Sequence, residues 1–340
     1  MKEADVFTGI LYQYLKQLID DWGDEYETVL VYGAGGVARD FLRLLNEDDA
    51  FNKLLPKLFV VVSEKANCVS ELQGVCVRDI GEFENHTEDS LVIIATMPIL
   101  IGEISETLNN SGFKQVTSVD SVIKDLYTEI WKAPVSRNKI IFRNFVGGGF
   151  GGNSKYIFLE LQKRRPDLDF VWLVNDMNVD LPSGIRKVQY GSLEHYMELG
   201  TAAVWIDEQH KNYLSRKREG QYYIQTWHGI GPTKKIEFDA ADSLSRSYLK
   251  LCEYNSQMED LFISGSGFNT EMCPRGFHYY KEVLECGYPR NDILVNRTAD
   301  EGTIRKRLGI PAKCKIFLYA PTFRNDGLEL VKGVDIPTKV

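Results

Sequence analysis

The sequence predicts an α/β protein in which two domains with mainly parallel sheets follow one another. Three observations lead there. Short runs of β-branched and aromatic residues alternate with stretches of helical apolar spacing. Two of those runs empty into glycine-rich turns that open a helix, at Gly33-Ala-Gly-Gly36 and between Gly147 and Gly152. The charge composition breaks near Lys132-Ala-Pro-Val-Ser-Arg-Asn138. Residues 1–132 hold 11 Lys and Arg against 23 Asp and Glu, and residues 133–340 hold 29 against 25. A shift from −12 to +4 at one point marks a junction between two units.

Taken in order, residues 5–22 carry apolar side chains at 6, 7, 10, 11, 14, 15, 18, 19 and 22, one face of a helix. A membrane-surface helix would set that face against many cations. Asp20 and Asp21 stand there instead, so packing within the domain is expected. Thr28–Tyr32 reads as a buried strand, followed by the first glycine turn and a helix through Leu45. Further strands are expected at 58–63, 75–78, 91–96 and 115–119, with a helix over about 99–111. This is a Rossmann-like unit. Gly33, Gly35 and Gly36 would let a pyrophosphate approach the helix N-terminus, and Glu64 stands near where a ribose-binding acid belongs. Two readings stay open: a site for NAD(P) or a nucleotide-sugar, or a structural or regulatory unit. The segment is similar to the small Rossmann domains attached to bacterial polysaccharide-biosynthesis proteins.

The second unit opens with a strand over 139–145 and a helix over 154–165, N-capped by Asn153 or Ser154. The turn between them either offers backbone N–H groups to an anion or is a tight turn and no more. Strands at 170–174, 187–189, 202–206 and 222–226 complete a second Rossmann-like sheet.

The whole chain, 340 residues with 44% hydrophobic and 26% charged residues, fits a globular protein of two or three domains. No apolar run is long enough to span a membrane. The N-terminus lacks a signal peptide's pattern, so a cytoplasmic location is expected. Six scattered cysteines without a C-x-x-C pair read as reduced thiols, and no metal site is expected. The acidic first part argues against nucleic-acid binding, whereas the mildly basic second part suits anionic substrates. A basic cluster at Lys211, Arg216, Lys217 and Arg218 reads as a solvated helix face or as a membrane-surface contact.

Three stretches place chemistry at strand ends. Tyr223-Ile-Gln-Thr-Trp-His-Gly229 runs a strand out to His228, with Lys234 and Lys235 beyond it. An imidazole there can take a proton from a hydroxyl nucleophile. The other histidines, 86, 195, 210 and 278, read as structural. Leu284 to Asp292 ends in Gly287-Tyr-Pro-Arg-Asn-Asp292. Ile316-Phe-Leu-Tyr-Ala320 reads as a buried strand leading to Pro321, Thr322 and Arg324. Hydroxyl and guanidinium groups at strand ends suit phosphate recognition, although each stretch alone also fits an ordinary turn.

In this order, Trp-His-Gly, Gly-Tyr-Pro-Arg-Asn-Asp and Tyr-Ala-Pro-Thr-Phe-Arg resemble the CDP-glycerol glycerophosphotransferase family of teichoic-acid primases and polymerases. The likeness runs over about 139–326 and includes Gly152-Asn-Ser-Lys-Tyr-Ile157 and Phe170–Val174. The resemblance implies a GT-B arrangement of two Rossmann domains and transfer of glycerol phosphate, or a related polyol phosphate, to a hydroxyl of a lipid-linked acceptor. CDP-glycerol would be the donor, CMP the product, and no further cofactor would be needed. His228 would be the general base. Gly229, Lys234, Lys235, Asp239, Arg290, Asn291, Asp292, Thr322, Arg324, Gly152 and Asn153 would contact substrate and phosphate. Work on a lipid-linked acceptor implies peripheral association with the inner face of the cell membrane, and a homo-oligomer is compatible with it.

Two departures stand out. Ile230-Gly-Pro-Thr233 is one residue longer than the family's usual link to the lysines, which leaves the reach of Lys234 and Lys235 open. Family members also continue well past Pro-Thr-Phe-Arg. The expected division is therefore 1–132 as an accessory domain, 133–312 as the acceptor-side GT-B domain and 313–340 as the start of a donor-side domain, largely missing, so that the chain alone is expected to be incomplete as an enzyme. The alternatives are a nucleotide-sugar-dependent glycosyltransferase and a binding module without turnover.

Overall fold

The structure is a computed structural model that describes residues 3–63, 69–231 and 234–318. Its strands fall into two sheets. The first contains β1 (Thr28–Tyr32), β2 (Leu58–Val62), β3 (Glu71–Leu72), β4 (Val75–Asp79), β5 (Ser90–Ile94) and β6 (Gln115–Ser118), in the order β3-β4-β2-β1-β5-β6. All neighbours are parallel except the short β3–β4 hairpin. The second contains β7 (Ser136–Arg143), β8 (Asp169–Val174), β9 (Ile185–Gln189), β10 (Ala202–Asp207), β11 (Tyr222–Gln225), β12 (Leu261–Ser264) and β13 (Glu282–Glu285). Its order is β13-β12-β11-β10-β7-β8-β9, parallel throughout. In both sheets the order runs outward in two directions from the first strand, the doubly wound pattern that opens a crevice beyond the carboxyl ends of the central strands.

Parallel strands are covered on both faces, and the alternation of side chains shows it here. In β1, Val29 and Val31 join one core and Leu30 the opposite one. In β7 and β8, Ile141, Val171 and Leu173 face one side while Phe142, Phe170, Trp172 and Val174 face the other. The cores holding Val29 and Ile141 are one continuous cluster, so the two sheets share an interior. Helices α1 (Glu3–Glu25), α2 (Gly36–Leu45), α5 (Val119–Ile130) and α7 (Leu193–Thr201) contribute to it through Leu11, Phe41, Ile123 and Tyr196. As expected, α1 packs inward, on α3 (Ala50–Leu54), and it also touches α7. Helix α4 (Pro98–Asn110) backs the first sheet. Helices α6 (Gly152–Arg164), α8 (Arg246–Met258) and α9 (Gly267–Phe277) belong with the second.

Residues 1–292 form one compact unit and 293–340 a second. Helix α10 (Asp292–Val295) lies at the division. In the second unit, α11 (Glu301–Arg307) is N-capped by Asp300, which accepts from Thr303 N–H at 2.9 Å.

Three sequence expectations are corrected. Ile316–Leu318 are not a buried strand: they carry no strand pairing, and Phe317 is 94% exposed. No strand is described in 293–318 that could complete their backbone hydrogen bonds. Helix α6 is N-capped by Gly151, not by Asn153 or Ser154, whose side chains are committed to other partners. The basic cluster is neither a helix face nor a membrane patch. Lys211 is 1% exposed and paired with Asp207 at 2.6 Å. Arg216 pairs with Asp120 at 2.6 Å, Lys217 with Asp260 at 2.5 Å, and Arg218 donates to Trp131 O and Ala133 O. Lys211 is consumed by an acid four residues away, and the three arginine and lysine side chains after it by partners distant in sequence.

Candidate active site at the carboxyl ends of the second sheet

His228 lies just beyond β11 on a sharply bent turn. Trp227, 4% exposed, takes φ +49°, a conformation that bulky L residues rarely adopt. It is held there because its N–H donates to Gln225 Oε1 at 2.9 Å while its carbonyl accepts from Asn153 Nδ2 at 3.0 Å. The strain aims His228 across the strand ends toward β10 and β7.

The imidazole is half-buried between Trp227, stacked at 4.3 Å between ring centres, and Phe145 at 4.2 Å. His228 Nδ1 stands 2.8 Å from the carbonyl oxygen of Glu208. A carbonyl only accepts, so Nδ1 carries the proton and Nε2 keeps its lone pair. Burial lowers the His228 pKa from 6.5, opposed by the Glu208 hydrogen bond and the charge of Glu237. The ring is therefore neutral and basic at neutral pH.

Arg290 closes the other side. Its Nη1 donates to His228 O at 2.8 Å, and its backbone N–H donates to Asn153 Oδ1 at 3.3 Å. The same guanidinium covers Gly229, where an added Cβ would meet Nη2 at 2.8 Å. Asn153, fully buried, thus ties the histidine turn to the Gly-Tyr-Pro-Arg turn. Tyr288 lies beneath the guanidinium at 5.5 Å and accepts from Asn269 Nδ2 on its hydroxyl.

For the glycine-rich turn after β7 the sequence left two readings open, an anion-binding turn and a tight turn. The anion at the α6 N-terminus is the protein's own: Ser154 N–H donates to Glu208 Oε1 at 2.8 Å. Gly152 has φ +68°, and a Cβ there would stand 2.1 Å from Glu208 Oε2, so glycine is required on both counts. Burial raises the Glu208 carboxyl to about 7, against the pull of the Ser154 hydrogen bonds. Nothing in the sequence singles out Glu208 or Phe145, although each lies within a few residues of the end of a central strand, as His228 does.

The remaining candidates are less central. Lys234 and Lys235 are exposed, as are Asn291 and Asp292. Asp239 is paired with Arg275 at 2.8 Å. Thr322, Arg324 and Glu64 lie outside the described residues. In the first sheet, Gly33 turns at φ +114°, and a Cβ there would meet Ala95 O at 2.9 Å, which gives it a packing role. Helix α2 has no side-chain N-cap, and Gly35 and Gly36 border open space. A cavity beside them, lined by Val37, Thr96, Pro98 and Asp120 against Leu214 and Arg216, measures about 10 Å³. That is room for a water.

The sequence profile of the CDP-Glycerol:Poly(glycerophosphate) glycerophosphotransferase family matches residues 125–336, the stretch that holds His228, Arg290 and Asn153. The chain belongs to this family. It is 34% identical over 203 residues to a teichoic acid poly(glycerol phosphate) polymerase of Staphylococcus epidermidis, covering 56% of this chain and 28% of that one. The polymerase of the same description from Bacillus subtilis is 30% identical over 231 residues, covering 64% and 31%. Among solved structures, the wall teichoic acid polymerase TagF superposes with a TM-score of 0.54 at 28% identity, covering 66% of this chain and 57% of that one. The chain thus spans less than a third of either named polymerase's length. The family match leaves the first sheet outside it, and β1 to β6 constitute an addition to the matched segment.

Proposed function

We propose that this protein takes part in transferring glycerol phosphate, or a related polyol phosphate, from CDP-glycerol to a hydroxyl of a lipid-linked acceptor of the teichoic-acid type. The observation that carries the reading is the 2.8 Å contact of His228 Nδ1 with the Glu208 carbonyl, which leaves Nε2 as the basic nitrogen, in a site whose family handles this donor. The acceptor hydroxyl gives its proton to Nε2 as its oxygen attacks the glycerol-bearing phosphorus. The bond from that phosphorus to the bridging oxygen breaks, and CMP leaves with the electron pair. Arg290 supplies positive charge beside the histidine turn where charge develops. Thr322, Arg324, Lys234 and Lys235 belong to the phosphate-binding side in this reading. Work on a lipid-linked acceptor places the protein at the cytoplasmic membrane face, and among the described residues no helix is long and apolar enough to cross the bilayer. The packing of Gly33 against Ala95 O supports a structural role for the first sheet.

Incubation with CDP-glycerol and with a panel of nucleotide-sugars tests the donor. CMP released from CDP-glycerol is the expected product. A nucleoside diphosphate released from a sugar donor would instead make it a glycosyltransferase. Saturable donor binding with no product would make it a binding module.

A further inference from the structure

Behind the Trp227 ring lies a second buried cluster that the proposed transfer chemistry does not use. His210 follows β10, Glu237 begins the 3-10 segment Glu237–Ser243, and Cys252 lies on α8. All three are buried, and one nitrogen, one carboxylate oxygen and the sulfur lie within 4.8 Å of one another. Cys252 Sγ stands 2.8 Å from Glu237 Oε2, and His210 Nε2 stands 3.9 Å from the same oxygen, beyond hydrogen-bond reach. Among the described residues neither buried His210 ring nitrogen has a hydrogen-bond partner, and the nearest charge to Nε2 is the Glu237 oxygen at 3.9 Å. An imidazole deprived of water and of both hydrogen bonds is costly to bury, and it calls for a ligand. Glu237 is a buried carboxylate on a backbone at φ +46°. Tyr248 O–H fixes the other carboxylate oxygen at 2.9 Å.

We propose that His210, Glu237 and Cys252 hold one divalent transition-metal ion of the zinc class. Imidazole, carboxylate and thiolate are the three side-chain donors that zinc takes. Ligand atoms around a tetrahedral zinc stand about 3.4–3.5 Å apart; the separations of 2.8 Å and 3.9 Å bracket that spacing and all three donors lie within 4.8 Å, so side-chain shifts bring three ligands onto one ion and leave a fourth position for water or another donor. Binding exchanges the Cys252 thiol proton for the metal: the S–H bond breaks, the S–metal bond forms, and the proton leaves to solvent. One thiolate and one carboxylate then balance the dication. Glu259, buried with Oε2 unpartnered and in electrostatic contact with His210, is a further carboxylate nearby. The Trp227 ring packs on His210 at 5.1 Å and on His228 at 4.3 Å, so the ion would brace the strained turn from behind without touching substrate.

The test reads metal, not transfer, and is independent of the proposed activity. The untagged full chain, kept reduced and free of chelator, is assayed for metal content and then titrated with Co²⁺ after metal removal. About one equivalent of zinc is expected, together with a thiolate-to-cobalt charge-transfer band that saturates at one equivalent. Cys252→Ser, checked for folding by circular dichroism, should lose that band, and His210→Gln should reduce the metal content at least tenfold. A folded wild-type chain with neither bound zinc nor a cobalt–thiolate band overturns the proposal. So does a band that persists undiminished in folded Cys252→Ser. Should Cys252→Ser not fold, the wild-type cobalt titration alone decides.

Discussion

An imidazole serves as a base only when the nitrogen that meets the substrate holds a lone pair, and His228 owes that to a single backbone carbonyl, Glu208 O, on its other nitrogen. Burial lowers its pKa, so the neutral, active form persists to lower pH than for a free histidine. The rate of CMP release should therefore fall only as pH drops through a midpoint below 6.5, measured as kcat/KM for CDP-glycerol against pH. A midpoint at or above 6.5 would contradict the described environment. His228 was legible from sequence because it lies just beyond the end of a parallel strand. Its tautomer was not, because Glu208 is 20 residues away and reaches it through the fold. The basic cluster was misread for the same reason: Asp120 and Asp260, which consume Arg216 and Lys217, stand far off in the chain.

At the scale of elements, strand positions were readable wherever β-branched runs are bounded by turn residues. The strand over Thr28–Tyr32 was expected to the residue, and the helix at 98–110 to within one position. The start of α6 was not, since five glycines between 147 and 152 give no local cue to which one bends and which one caps. Only the structure shows that Gly152 faces the Glu208 carboxylate. Gly152→Ala adds both a left-handed strain and a clash at 2.1 Å. The substitution should cost about 1–3 kcal/mol in urea unfolding and displace Glu208 from the α6 N-terminus. Unchanged stability would show that the turn relaxes freely.

For the molecule as a whole, the charge break near residue 132 located the change from one sheet to the other but gave no sign that they share a core. That core draws Val29, Val31 and Phe41 from one side and Ile141, Trp205 and Tyr223 from the other. Such apolar faces have no period that distinguishes a partner sheet from a partner helix, so the fusion is invisible in sequence. Polar ties reinforce it: Arg216 with Asp120, and Arg218 with the carbonyls of Trp131 and Ala133. Residues 1–292 should consequently unfold in a single cooperative transition by calorimetry, with calorimetric and van't Hoff enthalpies in agreement. Two resolved transitions within that span would mean that the sheets are energetically independent.

The central claim is that His228 Nε2 takes the acceptor proton, and the most direct measurement is acceptor-dependent release of CMP from CDP-glycerol by the wild-type chain and by His228→Ala. A loss of about 10²–10⁴-fold in kcat is expected, with the variant still folded. Release by His228→Ala at close to the wild-type rate would contradict it.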